Sequence, residues 1–407
     1  PKGCKPGVNC KFEPNVNVAT SERQPGSSFK PYMYLTGFKP EFGMTPMTKV
    51  LDAPISFPTA GGTYSPKNYD GSYHGTITIR KALAGSLNVP AVRTLATIGV
   101  EPVVKTAHDL GITSPLKNCG LSLVLGGCEV ELVDHVGAFA VLANGGKGKG
   151  ATPFNRIEDK HGKVLEEYHE NTEQSVNPEA VYELISIMTD NLSRAFVFGE
   201  KSPLAFPDRP VACKTGTTQN WKDGWTLCFT PQLAAGVWAG NNDSSLMHAG
   251  ADGVFVAAPM EHRFMELALA GQPAVDFPVP SGIVQIAYDR GSNKPATKTG
   301  KNTILEPFPW YALPKDVQIS AAPKSLNKGL LTPIVEPIIP SPLTAPSSVP
   351  NATVPPATTP SPGAESTAPT SSSQSYNSEQ EQYPDYGGLP NDYPTEPQAK
   401  VPGRPVL

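Results

Sequence analysis

The sequence predicts a mixed α+β fold, in which an antiparallel sheet is flanked by helices and followed by a disordered C-terminal tail. Several segments before residue 200 carry apolar residues at helical spacing. The pattern then changes to short runs rich in Val, Trp, Phe and Thr at residues 211–218, 224–230 and 232–240, which predict an antiparallel meander. Beyond about Ala321 the chain is dominated by Pro, Ser, Thr and Ala, a composition that buries too little apolar surface to become ordered.

The individual elements follow from local signals. Thr78 is placed to cap a short helix that ends near Ala84, and Pro90 is placed to begin another. Residues 38–73, rich in Pro, Gly, Thr and Tyr, predict long surface loops of the kind that line binding grooves. Further helices are predicted over 101–110, 131–143, 178–196 and 257–270, and a hairpin over 154–168.

Composition excludes several classes of function. With 33 basic and 37 acidic residues the net charge is −4, which argues against a nucleic-acid partner. The six cysteines include no CxxC pair and no His-rich cluster accompanies them, so no metal site is predicted. The chain has no apolar run long enough to span a membrane and no signal peptide pattern, and it starts at Pro1. We interpret it as a fragment or a processed chain, whose anchor or export signal, if any, lay upstream.

The cysteines fall in three close pairs: Cys4 with Cys10, Cys119 with Cys128, and Cys213 with Cys228. This spacing permits disulfides in an oxidising compartment, while buried free thiols remain an equal alternative. Cys213 and Cys228 fall on adjacent strands of the predicted meander. We therefore expect these two to be neighbours, whether bonded or not.

Ser27 and Lys30 place a hydroxyl and an amine three residues apart where the first helix is predicted to begin. Residues i and i+3 project from the same face of a helix, so the lysine amine can reach the serine oxygen. A lysine that loses its proton activates a neighbouring serine as a nucleophile, and a helix N-terminus stabilises an oxyanion. The same spacing recurs at Ser114 and Ser325, so the pair gains specificity only from other motifs.

Two further motifs supply that specificity. Ser86-Leu87-Asn88 is predicted as a turn between two helices, and Lys214-Thr215-Gly216 lies within the first strand of the meander. Glycine inside a strand marks a place where something approaches the backbone closely. Copies of these tripeptides at 298–300 and 325–327 stand in polar, proline-rich sequence without helix or strand pattern, and we treat them as decoys. The order of the three motifs matches the active-site motifs of penicilloyl serine transferases.

Four blocks of sequence resemble the transpeptidase domain of class A, bifunctional penicillin-binding proteins, over about Phe12 to Ile286. The blocks are RQPGSSFKP, ALAGSLNVPAV, LSLVLGG and KTGTTQNWKDGWTLCFTPQLAAGVWAGN. The resemblance implies the fold of penicillin-binding proteins and serine β-lactamases, with residues 1–275 as the transpeptidase domain, 276–320 as a C-terminal extension and 321–407 as the tail. Cys213 stands where the family usually has glycine, and Gly224 where alanine is common.

Roles are implied at the positions that match. Ser27 resembles the nucleophile that forms the acyl-enzyme, and Lys30 its general base. Ser86 is similar to the serine that relays protons towards the leaving amine, and Asn88 to the amide that binds the substrate backbone.

The strand motif has implied roles as well. Lys214 would supply positive charge for the substrate carboxylate, with Thr215 as its hydroxyl partner. Gly216 would keep the strand open to the peptide. The N–H groups of Ser27 and Thr217 would form the oxyanion hole.

The implied activity is peptidoglycan D,D-transpeptidation: attack on the D-Ala-D-Ala bond of one stem peptide and transfer of the acyl group to an amine of another, with covalent inhibition by β-lactams. It requires no cofactor and no metal, and takes place on the extracytoplasmic face of the bacterial membrane. Two alternatives remain open. One is a D,D-carboxypeptidase or serine β-lactamase-like hydrolase that uses water as acceptor, and the other is a catalytically inactive fragment that binds the cell wall.

The resemblance also implies that the full-length protein contains strands and domains that precede this sequence. The family's first two strands precede the equivalent of Phe12, so the strand at 232–240 is expected to present an unpaired edge and the chain alone to react poorly with β-lactams. A glycosyltransferase domain and a membrane anchor are expected in the full-length protein.

Overall fold

The fold is taken from a computed structural model, which describes residues 16–59, 62–148, 150–169, 173–296, 300 and 302–314. Contacts divide the chain into two units, Pro1–Ser341 and Pro342–Leu407, and all described residues belong to the first. Predictions for Cys4 and Cys10, for the decoy residues Lys298 and Ser325 and for the tail lie outside the described ranges. Within those ranges, none of the helices combines the length and apolar character needed to cross a bilayer.

The main sheet is the predicted meander. Its strands are β7 (Ala212–Thr217), β8 (Asp223–Thr230) and β9 (Leu233–Gly240), antiparallel in the order β7-β8-β9. Among the described residues β9 pairs with β8 only, so its outer edge is open there. Cys213 lies directly opposite Cys228 with a Cα–Cα distance of 4.2 Å, and the two form a disulfide, which confirms that they are neighbours. Cys119 and Cys128 are also bonded.

The middle strand β8 is buried on both faces because helices cover both. Side chains alternate along a strand, so Trp225, Leu227 and Phe229 join the larger core, in which helix α5 (Leu132–Ala143) lies. On the other face, Cys228 packs with Met265 in the smaller core beneath helices α8 (Gly253–Val256) and α9 (Ala258–Ala268). The sheet is therefore the central layer of a three-layer domain.

Helices and short strands surround this sheet. The helices before it are α1 (Lys30–Phe38), α2 (Ile79–Ala84), α3 (Asn88–Ile98), α4 (Val100–Asp109), α6 (Pro178–Met188) and α7 (Asn191–Phe198), and those after it are α8 (Gly253–Val256) and α9 (Ala258–Ala268). Thr78 caps α2 as predicted, since its side chain accepts a hydrogen bond from the Lys81 N–H. The predicted hairpin forms from β5 (Arg156–Glu158) and β6 (Val164–Glu167).

Three predictions differ from the structure. The segment 178–196, predicted as one helix, contains two helices, α6 and α7. The Asp190 side chain accepts a hydrogen bond from the Ser193 N–H and so caps the N-terminus of α7. Helix α3 begins two residues before Pro90, at Asn88. The predicted loops at 38–73 contain short strands, namely β1 (Lys49–Asp52), β2 (Phe57–Thr59) and β3 (Gly62–Tyr64), and β1 pairs with β4 (Gly75–Thr78).

A separate three-stranded sheet follows the helices. It consists of β10 (Ile283–Asp289), β11 (Lys294–Pro295) and β12 (Thr303–Pro309), in the order β11-β10-β12. Strand β12 contacts α6, and the fully buried Glu306 pairs with Arg80 of α2 at 2.8 Å. These residues are thus packed onto the helices that lie beside the first two motifs. The boundaries of the extension and of the tail remain predictions.

Candidate active site

Ser27 lies in a 3-10 turn, Gly26–Phe29, that leads directly into α1. Gly26 has a φ of +57°, and a Cβ there would lie 2.6 Å from the Thr217 carbonyl oxygen. Only glycine meets both the left-handed backbone and the close approach. The turn that carries Ser27 is consequently pressed against strand β7.

A buried histidine, His135, is hydrogen-bonded to this turn and to α1. Ser28 Oγ donates to the Pro25 carbonyl at 2.7 Å and lies 2.8 Å from His135 Nε2, while Tyr32 Oη lies 2.5 Å from His135 Nδ1. Burial lowers the pKa of His135 to about 3, so the ring is neutral. The Ser28 proton is already committed to Pro25. His135 Nε2–H therefore donates to Ser28, and Nδ1 accepts from Tyr32.

Lys30 is fully buried, and its amine is hydrogen-bonded to three other residues of the site. Its Nζ lies 2.8 Å from Ser27 Oγ, 2.5 Å from the Ser86 carbonyl oxygen and 2.8 Å from Asn88 Oδ1. Burial, and after it the charge of Lys214, hold the pKa of Lys30 well below its usual 10.5. The three predicted motif residues therefore meet at one amine.

These contacts dictate where the protons lie when Lys30 is neutral. A neutral amine has two N–H donors and one lone pair. The Ser86 carbonyl and Asn88 Oδ1 can only accept, so they take both N–H donors. The remaining lone pair is left for the Ser27 hydroxyl, which then donates to Lys30. This is the arrangement that a general base needs.

An unusual backbone conformation at Ser86 sets the position of the second motif in the site. Ser86 has a φ of +56°, which costs a non-glycine residue about 1–2 kcal/mol. Its Oγ lies 3.4 Å from Lys30 Nζ and accepts a hydrogen bond of 2.8 Å from Lys214 Nζ. Asn88 Nδ2 donates to the Lys67 carbonyl at 3.0 Å, and this contact turns Asn88 Oδ1 towards Lys30.

Lys214 joins the strand motif to the first two. It is 5% exposed, and burial, with the Arg194 charge as a smaller cause, lowers its pKa to about 7. Besides Ser86 Oγ, its Nζ donates to the main-chain oxygen of Thr215 at 2.8 Å. The contact between Lys214 and Thr215 is therefore through the backbone and not through the threonine hydroxyl.

The turn that carries Ser27 also constrains the residue at Gly216. A Cβ at Gly216 would collide with the Pro25 carbonyl and lie 3.0 Å from Ser28 Oγ. Glycine is needed because the turn bearing the nucleophile occupies that side of the strand. The side chain of Thr217 is also engaged, since its Oγ1 accepts from the Gly253 N–H at 3.0 Å.

Several residues of the site carry no sequence motif. Asn68 accepts from the Asn88 N–H at 2.9 Å. Its neighbour Tyr69 donates to Asp252 at 2.9 Å, and Asp252 directly precedes Gly253, which is bonded to Thr217. This contact joins the Asn88 side of the site to the β7 side. Only the tertiary fold brings these residues together, because residues 69 and 252 are separated by 183 positions.

Within the described part of the chain, no group of three or more His, Cys, Asp or Glu side chains is arranged to hold a metal ion. The side chains that meet at the site carry hydroxyl, amide and amine groups. All of the predicted catalytic residues lie in one continuous hydrogen-bonded cluster that joins Ser27, Lys30, Ser86 and Lys214.

Comparison with known proteins gives consistent matches. Residues 7–245 match the family model of the penicillin-binding protein transpeptidase domain. Penicillin-binding protein 2D of Bacillus subtilis is 35% identical over 289 residues, which are 70% of this chain and 41% of the relative. Penicillin-binding protein 1A of Neisseria lactamica is 33% identical over 270 residues, which are 64% of this chain and 33% of the relative. The chain thus spans well under half the length of these relatives.

Solved structures show the same fold. Penicillin-binding protein 1A from Haemophilus influenzae aligns with a TM-score of 0.62 at 23% identity, over 72% of this chain and 49% of that one. PonA1 from Mycobacterium tuberculosis aligns with a TM-score of 0.57 at 24% identity, over 65% of this chain and 73% of that one. The likeness confirms the predicted fold class, in which an antiparallel sheet is flanked by helices.

Proposed function

The chain belongs to the penicillin-binding protein transpeptidase family, and from that premise we propose that it carries the peptidoglycan D,D-transpeptidase of a class A protein, with Ser27 as its nucleophile. The observation that supports this most directly is the environment of Lys30. Its amine is buried, has a lowered pKa and lies 2.8 Å from Ser27 Oγ, so the neutral amine can accept the Ser27 proton. A serine hydroxyl is a weak nucleophile until such a base takes its proton.

The acylation half-reaction follows from these positions. Ser27 Oγ attacks the carbonyl carbon of the D-Ala-D-Ala amide while its proton passes to Lys30. The oxyanion that forms accepts from the N–H groups of Ser27 and Thr217. The C–N bond then breaks, and Ser86 passes its hydroxyl proton to the leaving amine of the terminal D-Ala while it takes from Lys30 the proton that came from Ser27.

Deacylation completes the transfer. An amine of a second stem peptide attacks the ester carbonyl, loses its proton to the same hydroxyl and amine network, and releases Ser27. Asn88 binds the peptide backbone of the donor, and Thr215 and Gly216 of the strand motif line its path. Lys214, when protonated, attracts the donor's terminal carboxylate. A β-lactam enters the first half of this cycle because its strained amide mimics the scissile bond, and it then remains as a stable ester.

The setting of the reaction follows from its substrate. Peptidoglycan stem peptides are cross-linked outside the cytoplasmic membrane, so the domain works on the extracytoplasmic face. An oxidising compartment suits the disulfides Cys119–Cys128 and Cys213–Cys228. The full-length protein would add the membrane anchor and the glycosyltransferase domain of the class.

Labelling with a fluorescent β-lactam tests the proposal. The full-length protein is expected to form a stable adduct on the tryptic peptide that contains Ser27, and Ser27→Ala to abolish it, because Ser27 Oγ lies 2.8 Å from Lys30 Nζ, whereas Ser86 Oγ lies 3.4 Å away and accepts from Lys214. Matched changes in the decoy motifs, Ser114→Ala, Lys298→Ala and Ser325→Ala, are expected to label like wild type. Label on another serine, or full labelling of Ser27→Ala, would overturn the assignment.

Product analysis separates the remaining alternatives. Incubation with glycan strands that carry D-Ala-D-Ala stems is expected to yield cross-linked stem dimers as well as free D-Ala. Free D-Ala without dimers would identify a carboxypeptidase, and loss of β-lactam absorbance with turnover would identify a β-lactamase. Absence of both adduct and products would leave the wall-binding alternative.

The acylation rate is expected to have a bell-shaped pH profile. Lys30 must be neutral to accept the Ser27 proton, so the rate rises with pH through the lowered pKa of Lys30. Lys214 must be protonated to attract a carboxylate, so the rate falls as pH rises past its pKa of about 7. Acylation rates measured between about pH 5 and 10 check both limbs. A rate that still increases with pH well above 7 would contradict the role of Lys214.

A further inference from the structure

The first turn of helix α3, which carries Asn88, is capped by a residue from another segment. The helix's own N-cap position, Leu87, offers no side-chain hydrogen bond. Instead, Asn68 Oδ1 accepts from the Asn88 N–H at 2.9 Å and from the Val89 N–H at 3.1 Å. Two of the donors that every helix start leaves unpaired are satisfied in this way.

Asn68 is itself held by a buried carboxylate. Its Nδ2 donates to both oxygens of Asp52, at 2.8 and 3.0 Å, and to the Ser72 carbonyl at 2.8 Å. Asn68 is 3% exposed and Asp52 is fully buried. Asp52 is the last residue of β1. Its Oδ2 also accepts a hydrogen bond from the His74 N–H and lies 2.7 Å from His74 Nδ1. Every polar atom of the Asn68 amide is therefore committed, and the amide has one orientation.

The residue before Asn68 fixes the side chain of Asn88. The Lys67 carbonyl accepts from Asn88 Nδ2 at 3.0 Å, so Asn88 Oδ1 is turned to Lys30 Nζ at 2.8 Å. Residues 67 and 68 thereby hold both the backbone and the amide of Asn88. A hydrogen-bonded path leads from Asp52 through Asn68 and Asn88 to Lys30, next to Ser27.

We propose that Asn68 is a positioning residue for acylation, which holds Asn88 so that the Lys30 amine presents its lone pair to Ser27, with Asp52 as the anchor of Asn68. The inference rests on the proposed function. Asn68 touches no reacting atom. If Asn88 shifts, Oδ1 no longer takes one N–H of Lys30, and the amine can rotate to donate to Ser27 instead of accepting from it. The contacts of Ser27 with Lys30 and of Ser86 with Lys214 do not involve Asn68.

The test is Asn68→Ala in the full-length protein, with the acylation rate constant and the non-covalent dissociation constant for a β-lactam measured separately. The rate constant is expected to fall about 10- to 100-fold, the range seen when a catalytic group is displaced by about 1 Å. The dissociation constant is expected to rise by less than the rate constant falls, since Asn88 is one of several groups that bind the ligand, whereas proton transfer from Ser27 depends on the orientation of the Lys30 amine.

Asn177→Ala supplies the matched control for a lost helix cap. Asn177 Oδ1 accepts from the Ala180 N–H at 2.8 Å and caps α6 as Asn68 caps α3. Both variants are expected to lower the midpoint of thermal unfolding by a few degrees, but Asn177→Ala is expected to acylate within twofold of wild type. Equal rate losses in the two variants would mean that Asn68 acts through stability alone, which would overturn the proposal.

A double variant keeps the proposal testable if Asn68→Ala does not fold. Asp52→Asn combined with Asn68→Asp exchanges the donor and acceptor while keeping an oxygen for the N–H groups of Asn88 and Val89. It is expected to acylate within about tenfold of wild type, and a folded double variant below one hundredth of the wild-type rate would overturn the inference. If the wild-type protein forms no adduct, the proposed function itself is contradicted. If a folded Asn68→Ala variant acylates at the wild-type rate, only the role of Asn68 is contradicted.

Discussion

Lys30→Ala is expected to slow acylation of Ser27 by a β-lactam by about 10²- to 10⁴-fold, the contribution of a positioned general base. The amine lies 2.8 Å from Ser27 Oγ, and its lowered pKa makes it able to take the Ser27 proton. Its removal leaves the hydroxyl un-ionised at neutral pH. The measurement is the rate of adduct formation, followed by gel fluorescence at several β-lactam concentrations.

Two controls sharpen this result. Lys30→Arg keeps a positive charge, but a guanidinium is always protonated and cannot act as a base, so it is expected to be as slow as Lys30→Ala. Lys117→Ala, in the decoy motif of Ser114, removes an exposed lysine and is expected to acylate like wild type. Near wild-type acylation by Lys30→Arg would assign the proton transfer to another group.

The sequence predicts much of this fold because its signals are local. The Thr78 cap, the strand patterns of the meander and the opposition of Cys213 and Cys228 all depend on a few neighbouring residues. The three catalytic motifs are similarly short, and their order along the chain identifies them. The structure brings Ser27, Lys30, Ser86, Asn88 and Lys214 into one hydrogen-bonded cluster, as the motifs imply.

What the sequence does not predict depends on contacts between distant segments. Asn68 stands in a stretch rich in Pro, Gly and Tyr that indicates only loops, and its function as a cap depends on α3, 20 residues further on. His135 is one position in an amphipathic helix, and its contact with Ser28 spans 107 residues. Apolar spacing continues across Asp190 and therefore does not indicate the break, which depends on the cap that the Asp190 side chain provides for α7.

The second large effect is expected from Arg80→Met, which removes one partner of a buried ion pair. Arg80 is 5% exposed and Glu306 is fully buried, and the guanidinium also bonds to Asp190 at 3.2 Å. Loss of one partner leaves Glu306 charged without a counter-ion, beside Glu183, whose pKa is raised by burial and secondly by the Glu306 charge. The expected loss is about 3–5 kcal/mol of unfolding free energy.

Thermal unfolding measures this effect, with the midpoint of Arg80→Met expected to fall by about 10 °C. Lys105→Ala is the matched surface control, since Lys105 pairs with Asp109 at 2.7 Å but its side chain is 73% exposed. That change is expected to cost less than about 1 kcal/mol. Arg80→Met combined with Glu306→Leu removes both charges and is expected to recover most of the loss. If Arg80→Met unfolded no earlier than Lys105→Ala, β12 would not depend on this pair for its attachment to α2.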